Sequence, residues 1–347
     1  MTESSGAGEE TEDNFLQRIK PELDQMEIMR QVKLDAYLWR QKMIWPIGCA
    51  VIACTIVLDY LISHYLFKLH FPFPLVSIMA GIGLFIWMGN PRKEYVNIYK
   101  ENITPRIARL VGLSQYDPAG GIPLNDMDKS RILPGHSGYE SEDYFEGIYK
   151  KALVRFAQVK FTKSQRKHGV SFSAGGVTLG SSRRHRNYET VTVFKGLALL
   201  ISLPHPTFRG HTILVRDSAS FSEWLTSAFT GLKSVPLSKP GLEKMYSVFS
   251  NNAAEADRLI DAEMLSRVVR LAEAYKSRGV SLAFYGNQIF ILIAAEKDFF
   301  EPGNIAMPAT NIESVRSIKR ELQQVFSLID FLGVVNQDGA APAASIS

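Results

Sequence analysis

Two long apolar stretches lie almost end to end near the amino terminus of this 347-residue chain. The first covers residues 44–67, with Asp59 as its one acidic residue, and the second covers residues 71–88 without a charged side chain. About 20 apolar residues cross the roughly 30 Å hydrocarbon core of a bilayer as an α-helix. The pattern therefore predicts an integral membrane protein with a two-helix transmembrane hairpin within residues 44–90.

Basic residues predict the side of the membrane on which the rest of the chain lies. Lysines and arginines precede the first stretch and follow the second, whereas the tip between them holds only Lys68 and His70. The positive-inside rule then places both flanks, and hence both termini, in the cytoplasm. Both cysteines, Cys49 and Cys54, lie inside the first stretch. The other segments therefore offer no Cys-based zinc site and no thiol nucleophile.

The remaining chain divides by composition and periodicity into further segments. We predict a disordered acidic tail over 1–13, an amphipathic stalk helix over 14–43, a second stalk segment over 91–113, a Gly- and Pro-rich linker over 114–135, a cytoplasmic domain over 136–333 and a disordered tail over 334–347. A net charge of +4 is compatible with a neighbouring anionic membrane and gives no reason to expect a nucleic-acid partner.

The cytoplasmic domain combines predicted strands with helices that come late in the chain. Apolar patterns predict strands over 153–162, 190–203 and 207–217, of which the last two are expected to pair across Pro204–Pro206. They also predict a hairpin of 280–285 with 288–295. Helices are predicted over 252–276, with Asn252 as the N-cap, and over 311–332. This arrangement of strands and helices predicts an α+β fold for the domain. Closer to the amino terminus, Pro91 after Asn90 predicts the end of the second membrane helix.

Three short motifs occur in order behind the apolar pair. They are GHSGYESEDYFEG at 135–147, VFKG at 193–196 and YSVFSNNAAEADRLID at 246–261. The chain thereby resembles an uncharacterised bacterial family of two-span membrane proteins, the domain of unknown function three-one-three-seven. This resemblance implies an inner-membrane protein with a cytoplasmic α+β domain, and it implies no activity.

Asp59 is the most unusual residue of the apolar pair. A carboxylate inside a membrane helix costs about 2.5–3.5 kcal/mol near the centre on insertion scales. Folding the hairpin at its tip is expected to bring Asp59 opposite the region of Ala80, Gly81 and Gly83, whose small side chains allow close helix approach. It is therefore a candidate intramembrane polar contact, either as part of a proton or ion relay or, as we favour, as a structural acid in a helix interface.

A basic stretch rich in Gly and Ser spans residues 163–187. Its candidate contacts with anionic lipid headgroups are Lys163, Arg166, Lys167, Arg183, Arg184 and Arg186. Each basic side chain near an anionic surface contributes about 1 kcal/mol of attraction. A solvated hairpin tip is the alternative, and another polyanion is a third.

The sequence supports no catalytic, cofactor or metal site. Residues 175–180 have glycines spaced as in a phosphate loop but lack the lysine that follows them there. The acids of residues 140–146, beside His136, fit a helix N-terminus better than a metal centre. No G-x-S-x-G elbow is present.

We therefore expect a non-catalytic, membrane-anchored interaction or scaffold module that binds a protein partner or a second copy of itself. Two alternatives remain open at this stage. One is a membrane-associated enzyme acting on a lipid or envelope precursor, and the other is an accessory subunit of a transport assembly that uses Asp59.

Overall fold

The computed structural model describes residues 12–65, 75–166, 188–216, 231–236, 245–275, 277, 279–333 and 335. The predicted tails, 1–13 and 334–347, fall almost entirely outside these ranges. The chain divides into two compact units. A helical unit comprises Met1–Leu110 with Glu301–Lys319, and a sheet unit comprises Val111–Phe300 with Arg320–Ser347.

The helical unit contains helices α1 (Glu12–Tyr65), α2 (Leu75–Asn102) and α3 (Thr104–Leu110). The stalk helix does run without interruption into the first apolar stretch, since α1 covers both. Its buried stripe in the stalk consists of Phe15, Ile19, Leu23 and Met26. These residues recur at steps of three and four, which places them along one face of a helix.

Helix α2 corrects the prediction that Pro91 ends the second apolar helix, because α2 continues through Pro91 to Asn102. Proline has no backbone N–H, so the carbonyl four residues earlier, that of Trp87, loses its donor within the helix. The Arg40 guanidinium of α1 donates to this carbonyl oxygen at 2.5 Å. The neighbouring helix thus supplies the hydrogen bond that the proline removes.

In the described part of the sheet unit, nine strands form one antiparallel sheet in the order β1-β2-β3-β4-β9-β8-β5-β7-β6. The strands are β1 (Leu113–Asp117), β2 (Gly138–Tyr149), β3 (Ala152–Arg166), β4 (Tyr188–Ser202), β5 (Phe208–Arg216), β6 (Lys233–Val235), β7 (Tyr246–Ser250), β8 (Gly279–Gly286) and β9 (Gln288–Ala294). With its helices, the unit is an α+β fold, as predicted.

Three sequence predictions for this unit are wrong in detail. Strands β4 and β5 do not pair with each other: β4 lies between β3 and β9, and β5 lies between β8 and β7. The segment 114–135 is not a plain linker, because it holds most of β1 and helix α4 (Leu124–Asp128), and Ile122 and Met127 are fully buried in the core. The acids of 140–146 lie on β2, where they pair with β3, instead of at a helix start.

The helix predicted over 252–276 is two helices, α5 (Ala253–Leu259) and α6 (Ala262–Ala274). Asn252 caps α5 as expected, by accepting from the Glu255 N–H. Asp261 then caps α6, with its carboxylate accepting from the Met264 N–H at 2.7 Å. A second N-cap inside an apolar periodic pattern interrupts the helix there, because the capping residue itself has extended backbone angles.

The late elements agree with the sequence. The β8–β9 hairpin turns at Gly286, whose φ of 57° lies in the left-handed region that glycine adopts without strain. The final helix, α7 (Ile312–Leu332), has the predicted buried stripe, which includes Val315, Ile318 and Leu322.

Candidate functional site

In the apolar parts of α1 and α2, large apolar side chains lie outside and polar ones inside, the inverse of the distribution in a soluble protein. Large apolar residues face outward: Ile52, Ile56, Val57, Leu58, Leu61, Ile78, Met79, Ile82, Phe85 and Ile86 are all 43% or more exposed. The polar side chains of Thr55 and Asp59 are buried instead, at 9% and 3% exposure. In water this arrangement would expose the apolar surface and bury the charge, which is the opposite of what stabilises a soluble helix.

The Asp59 carboxylate binds the amino-terminal turn of α2. Its two oxygens accept from the backbone N–H groups of Val76 and Ser77 at 3.0 and 3.1 Å, and from the Ser77 hydroxyl at 2.7 Å. The first N–H groups of a helix have no partner within it, and the helix dipole favours a negative charge there. Asp59 therefore lies opposite the beginning of α2 and not opposite residues 80–83, and its contacts are those of a structural cap.

One described helix, α1, is long and apolar enough to cross a membrane. The apolar part of α2 that the structure describes, Val76–Trp87, is shorter than a span. The predicted second span begins at residue 71, and residues 66–74, including the tip, lie outside the described residues. The second span therefore stays a prediction.

A buried ion pair joins the stalk to the segment that follows residue 300 within the same unit. The Arg30 guanidinium donates two hydrogen bonds to the Glu27 carboxylate, at 2.8 and 2.6 Å, and one to the carbonyl of Ile305 at 2.7 Å. Glu27 also accepts from the Ala309 N–H at 2.6 Å. The Arg30 hydrogen bonds hold the pKa of Glu27 at about 2, so this carboxylate is ionised at neutral pH.

The predicted anionic-surface residues are only partly visible. Lys163 is exposed on β3, and Arg166 is the last residue of that strand. Lys167, Arg183, Arg184 and Arg186 lie outside the described residues. The proposed contact of this basic segment with lipid headgroups thus stays a prediction.

The sheet unit contains an open cavity of about 1880 Å³. Strands β4, β9, β8 and β5 lie side by side, and the cavity lies where β8 begins and where β9 and β5 end, beside residues 192–195 within β4. The end of helix α6 contributes Arg270, Leu271 and Ala274, followed by Tyr275 just past it. Helix α7 contributes Gln324, Ser327, Leu328 and Phe331, which share one helix face.

Small residues explain why this space is not filled by side chains. Gly279 begins β8, Ala294 ends β9, Ala295 follows it, and Ala274 ends α6, and all four line the cavity. A Cβ atom on Gly279 would lie 2.7 Å from the Cδ of Arg216. Glycine at this position therefore lets the Arg216 side chain cross the end of β8.

The cavity lining is strongly basic. Among the described residues that line it, the cations are Lys163, Lys195, Arg216, Arg270 and Lys297, and Glu296 is the one acid. Two of these cations are compensated, since Lys195 pairs with Asp298 at 2.5 Å and Lys297 pairs with Glu321. The side chains of Lys163 and Arg270 make no hydrogen bond or ion pair to any described residue.

Apolar side chains form the rest of the wall. Phe299 is 6% exposed and Leu328 is 2% exposed, while Phe331 is 39% exposed and presents its ring to solvent or to a ligand. Burial raises the pKa of Tyr275, another lining residue, to about 12, so its hydroxyl stays protonated at neutral pH. The cavity thus combines cations with an apolar surface.

Sequence reasoning identified Lys163 and missed the other cavity cations. Lys195, Arg216, Arg270 and Lys297 are far apart in the chain, and each has ordinary neighbours, so no local motif marks them. The strand order that brings them together is also the part of the topology that the sequence did not predict.

The acids of β2 make contacts within the sheet unit, where carboxylate oxygens of Glu142 and Asp143 lie within 4.8 Å of each other. Glu140 pairs with Lys160 at 2.9 Å, and Glu142 accepts from the Gln158 amide at 2.6 Å. Asp143 accepts from the Tyr116 hydroxyl at 2.6 Å, and Glu146 from the Tyr144 hydroxyl at 2.6 Å. These side chains are held by four different partners on the sheet, which is typical of structural polar residues.

Comparisons with known proteins give a family match and one remote structural similarity. No curated protein matches this chain. The crystal structure of the mycobacterial trehalose monomycolate transport factor A, TtfA, aligns with a TM-score of 0.31 and 12% sequence identity, covering 65% of this chain and 95% of that one. A similarity this weak carries no functional argument.

Residues 192–334 match the family model described as a protein of unknown function (DUF3137). This match runs from within β4 to the end of α7, and it agrees with the resemblance found in the sequence motifs. Residues 192–334 are thus similar to a domain of unknown function.

Proposed function

We propose that this protein is a non-catalytic interaction module anchored in the bacterial inner membrane by two spans, residues 44–67 and 71–88, with both termini in the cytoplasm. The inverted surface of α1 and α2 carries the proposal. Their outward side chains are apolar and the side chains between them are polar, as the low dielectric of a bilayer requires.

Aromatic residues support a specific placement of α1. Trp45 is 79% exposed and Tyr65 is 75% exposed, and the exposed aliphatic residues of the first apolar stretch lie between them. Twenty residues of α-helix rise about 30 Å, which equals the thickness of the hydrocarbon core. Trp and Tyr favour the two membrane–water interfaces, so these two residues are suited to mark the borders of the first span.

The natural cysteines provide a direct test of this anchoring. Cys49 and Cys54 are both exposed on α1, and the sequence has no other cysteine. In water both thiols would react with a membrane-impermeant maleimide. In a bilayer they would not, because a thiolate does not form in hydrocarbon and the reagent does not enter.

The matched control is Asn125→Cys in a chain whose natural cysteines are replaced by serine, because residue 125 is exposed on α4 in the sheet unit. We expect the control thiol to react in inside-out vesicles and to be protected in intact spheroplasts. The natural cysteines should stay unreactive in both preparations until detergent is added. Reaction of Cys49 or Cys54 in sealed vesicles at the rate of the control would refute the anchoring.

The interaction role needs a separate measurement. Native mass spectrometry of the full chain, extracted gently from its own membrane, should show a stoichiometric protein partner or a homo-oligomer. A monomer without any bound protein would contradict the interaction role while leaving the anchoring intact.

A further inference from the structure

We propose that the cavity of the sheet unit binds one anionic amphiphile, with its charged head on the cavity cations and its hydrocarbon chain along the apolar wall. This site is separate from the membrane spans. It is also distinct from a contact of the basic segment 163–187 with the bilayer surface. It does not depend on the proposed anchoring, because all of its lining residues belong to the sheet unit.

The size of the cavity argues for a ligand larger than a metabolite. Pockets for small molecules usually enclose about 300–1,000 Å³. The cavity here, of about 1880 Å³, is larger than this range and is partly lined by small residues at strand ends. Residues 274, 279, 294 and 295, which are all alanine or glycine, contribute little side-chain volume to its lining.

The charges argue for an acidic head. Five basic residues and one acid line the cavity, and two further acids, Asp298 and Glu321, pair with lining lysines, so basic residues still outnumber acidic ones there. Lys195 and Arg216 lie on β4 and β5, which are separated by β9 and β8. Three strand spacings amount to about 14 Å, so these two residues border the cavity from different strands, and Lys195 adds positive charge to it while it also binds Asp298.

Arg270 makes the strongest case among the individual residues. It is exposed at the mouth of the cavity on α6 and has no partner among the described residues. A guanidinium binds a phosphate or carboxylate through two parallel hydrogen bonds, which gives both orientation and affinity. Together with Arg216, it presents two guanidinium groups to a ligand head.

The apolar wall argues against a purely ionic ligand such as inorganic phosphate. Phe331 and Leu328 lie on the cavity face of α7, and Phe299 lines the cavity from the loop after β9. Burying a hydrocarbon chain against such residues gains about 0.8 kcal/mol per CH₂ group, so a chain contributes affinity that an inorganic anion cannot have. An acidic lipid has both parts.

The test uses the full chain in a neutral sugar detergent and hexadecyl phosphate as the probe, with bound molecules counted by native mass spectrometry. We expect a saturable one-to-one complex. A tenfold excess of inorganic phosphate should not displace the probe, and neither should a neutral hexadecyl ether. Displacement by inorganic phosphate would show a plain anion site, and displacement by the ether would show a plain apolar one; either result would overturn the proposal.

Variants locate the site. The double variant Arg216→Gln with Arg270→Gln should weaken binding by at least about tenfold, because hydrogen bonds to charged groups are the stronger ones. Phe331→Gln should weaken it severalfold. The matched control, Arg209→Gln with Arg258→Gln, removes the same charge from exposed positions outside the cavity and should bind as the natural chain does.

If the double variant does not fold, Arg270→Gln alone decides, since Arg270 is exposed and unpaired among the described residues and its loss should not affect folding. Equal affinity of the natural chain and of a folded cavity variant would refute the site. Native mass spectrometry of the freshly extracted protein adds a second readout. An acidic lipid should accompany the natural chain and the control, and it should be lost from the cavity variants.

Discussion

The hydrogen bond from Arg40 to the Trp87 carbonyl makes a quantitative prediction about how α2 tolerates Pro91. Proline inside a helix leaves the carbonyl four residues earlier without a donor. Arg40 supplies one at 2.5 Å, and its guanidinium also lies 4.9 Å from the centre of the Trp87 ring. If the physical reasoning is right, Arg40 and Pro91 are energetically coupled although they lie on different helices.

The magnitude follows from the two contacts. A hydrogen bond that involves a charged group contributes about 1.5–3 kcal/mol, and an exposed cation–π contact adds about 0.5–1 kcal/mol. Arg40→Ala should therefore lower the free energy of unfolding of the helical unit by about 2–4 kcal/mol. Pro91→Ala restores the backbone N–H. In a chain that carries Pro91→Ala, the same Arg40 substitution should cost about 1–2 kcal/mol less, since the carbonyl is no longer orphaned.

A double-mutant cycle measures this coupling. The full chain is unfolded by sodium dodecyl sulfate in mixed micelles with a neutral detergent, and tryptophan fluorescence reports the separation of Trp39 from Trp87, whose rings are 6.1 Å apart in the folded state. Lys42→Ala, at a nearby exposed position of α1, is the control and should change stability by less than about 0.5 kcal/mol. Equal costs of Arg40→Ala in the natural chain and in the Pro91→Ala chain would show that Arg40 does not replace the missing donor.

Two further predictions concern the carboxylates of Asp59 and Glu27 in the helical unit. Asp59→Asn should destabilise the pairing of α1 and α2 by about 1–2 kcal/mol in the same mixed-micelle assay, because an amide has one acceptor oxygen for the N–H groups of Val76 and Ser77. The control is Asp35→Asn, at an exposed position of α1. Equal stability of the two variants would contradict the capping role of Asp59. Glu27 has a folded-state pKa of about 2, below its ordinary value of 4.5, so its contribution is fully present above pH 4.5 and is lost as the pH falls toward 2. Stability measured between pH 6 and 3 should therefore fall more in the natural chain than in Glu27→Gln, and parallel curves would contradict the assignment.

Local signals predicted the elements whose causes are local. The stalk of α1, the β8–β9 hairpin with Gly286 at its turn and the final helix each follow from periodicity or turn chemistry within a few residues. The N-cap at Asn252 was predicted for the same reason. Asp261 gives an equally local capping signal. The prediction of one helix over 252–276 did not take it into account, because the apolar pattern continues on both sides of Asp261.

Non-local contacts explain the remaining errors. Pro91 looks like a helix end in isolation, and only the donor from Arg40, which belongs to the preceding helix, compensates it within a continuous helix. In the same way, β4 and β5 were expected to pair because a short Pro-containing turn joins them. The sheet instead inserts the β8–β9 hairpin between them, and each strand forms hydrogen bonds with one strand of that hairpin.

This insertion also creates the candidate ligand site. If β4 and β5 were neighbours, Lys195 and Arg216 would lie about one strand spacing apart, roughly 5 Å, and their like charges would repel each other across a narrow strand end. With β9 and β8 between them, the two cations stand apart over the small residues Gly279 and Ala294, which leaves room for an anionic group. The basic cavity is therefore a consequence of strand order, and replacing Gly279 by a larger residue should displace the Arg216 side chain, because a Cβ there would lie 2.7 Å from the Cδ of Arg216.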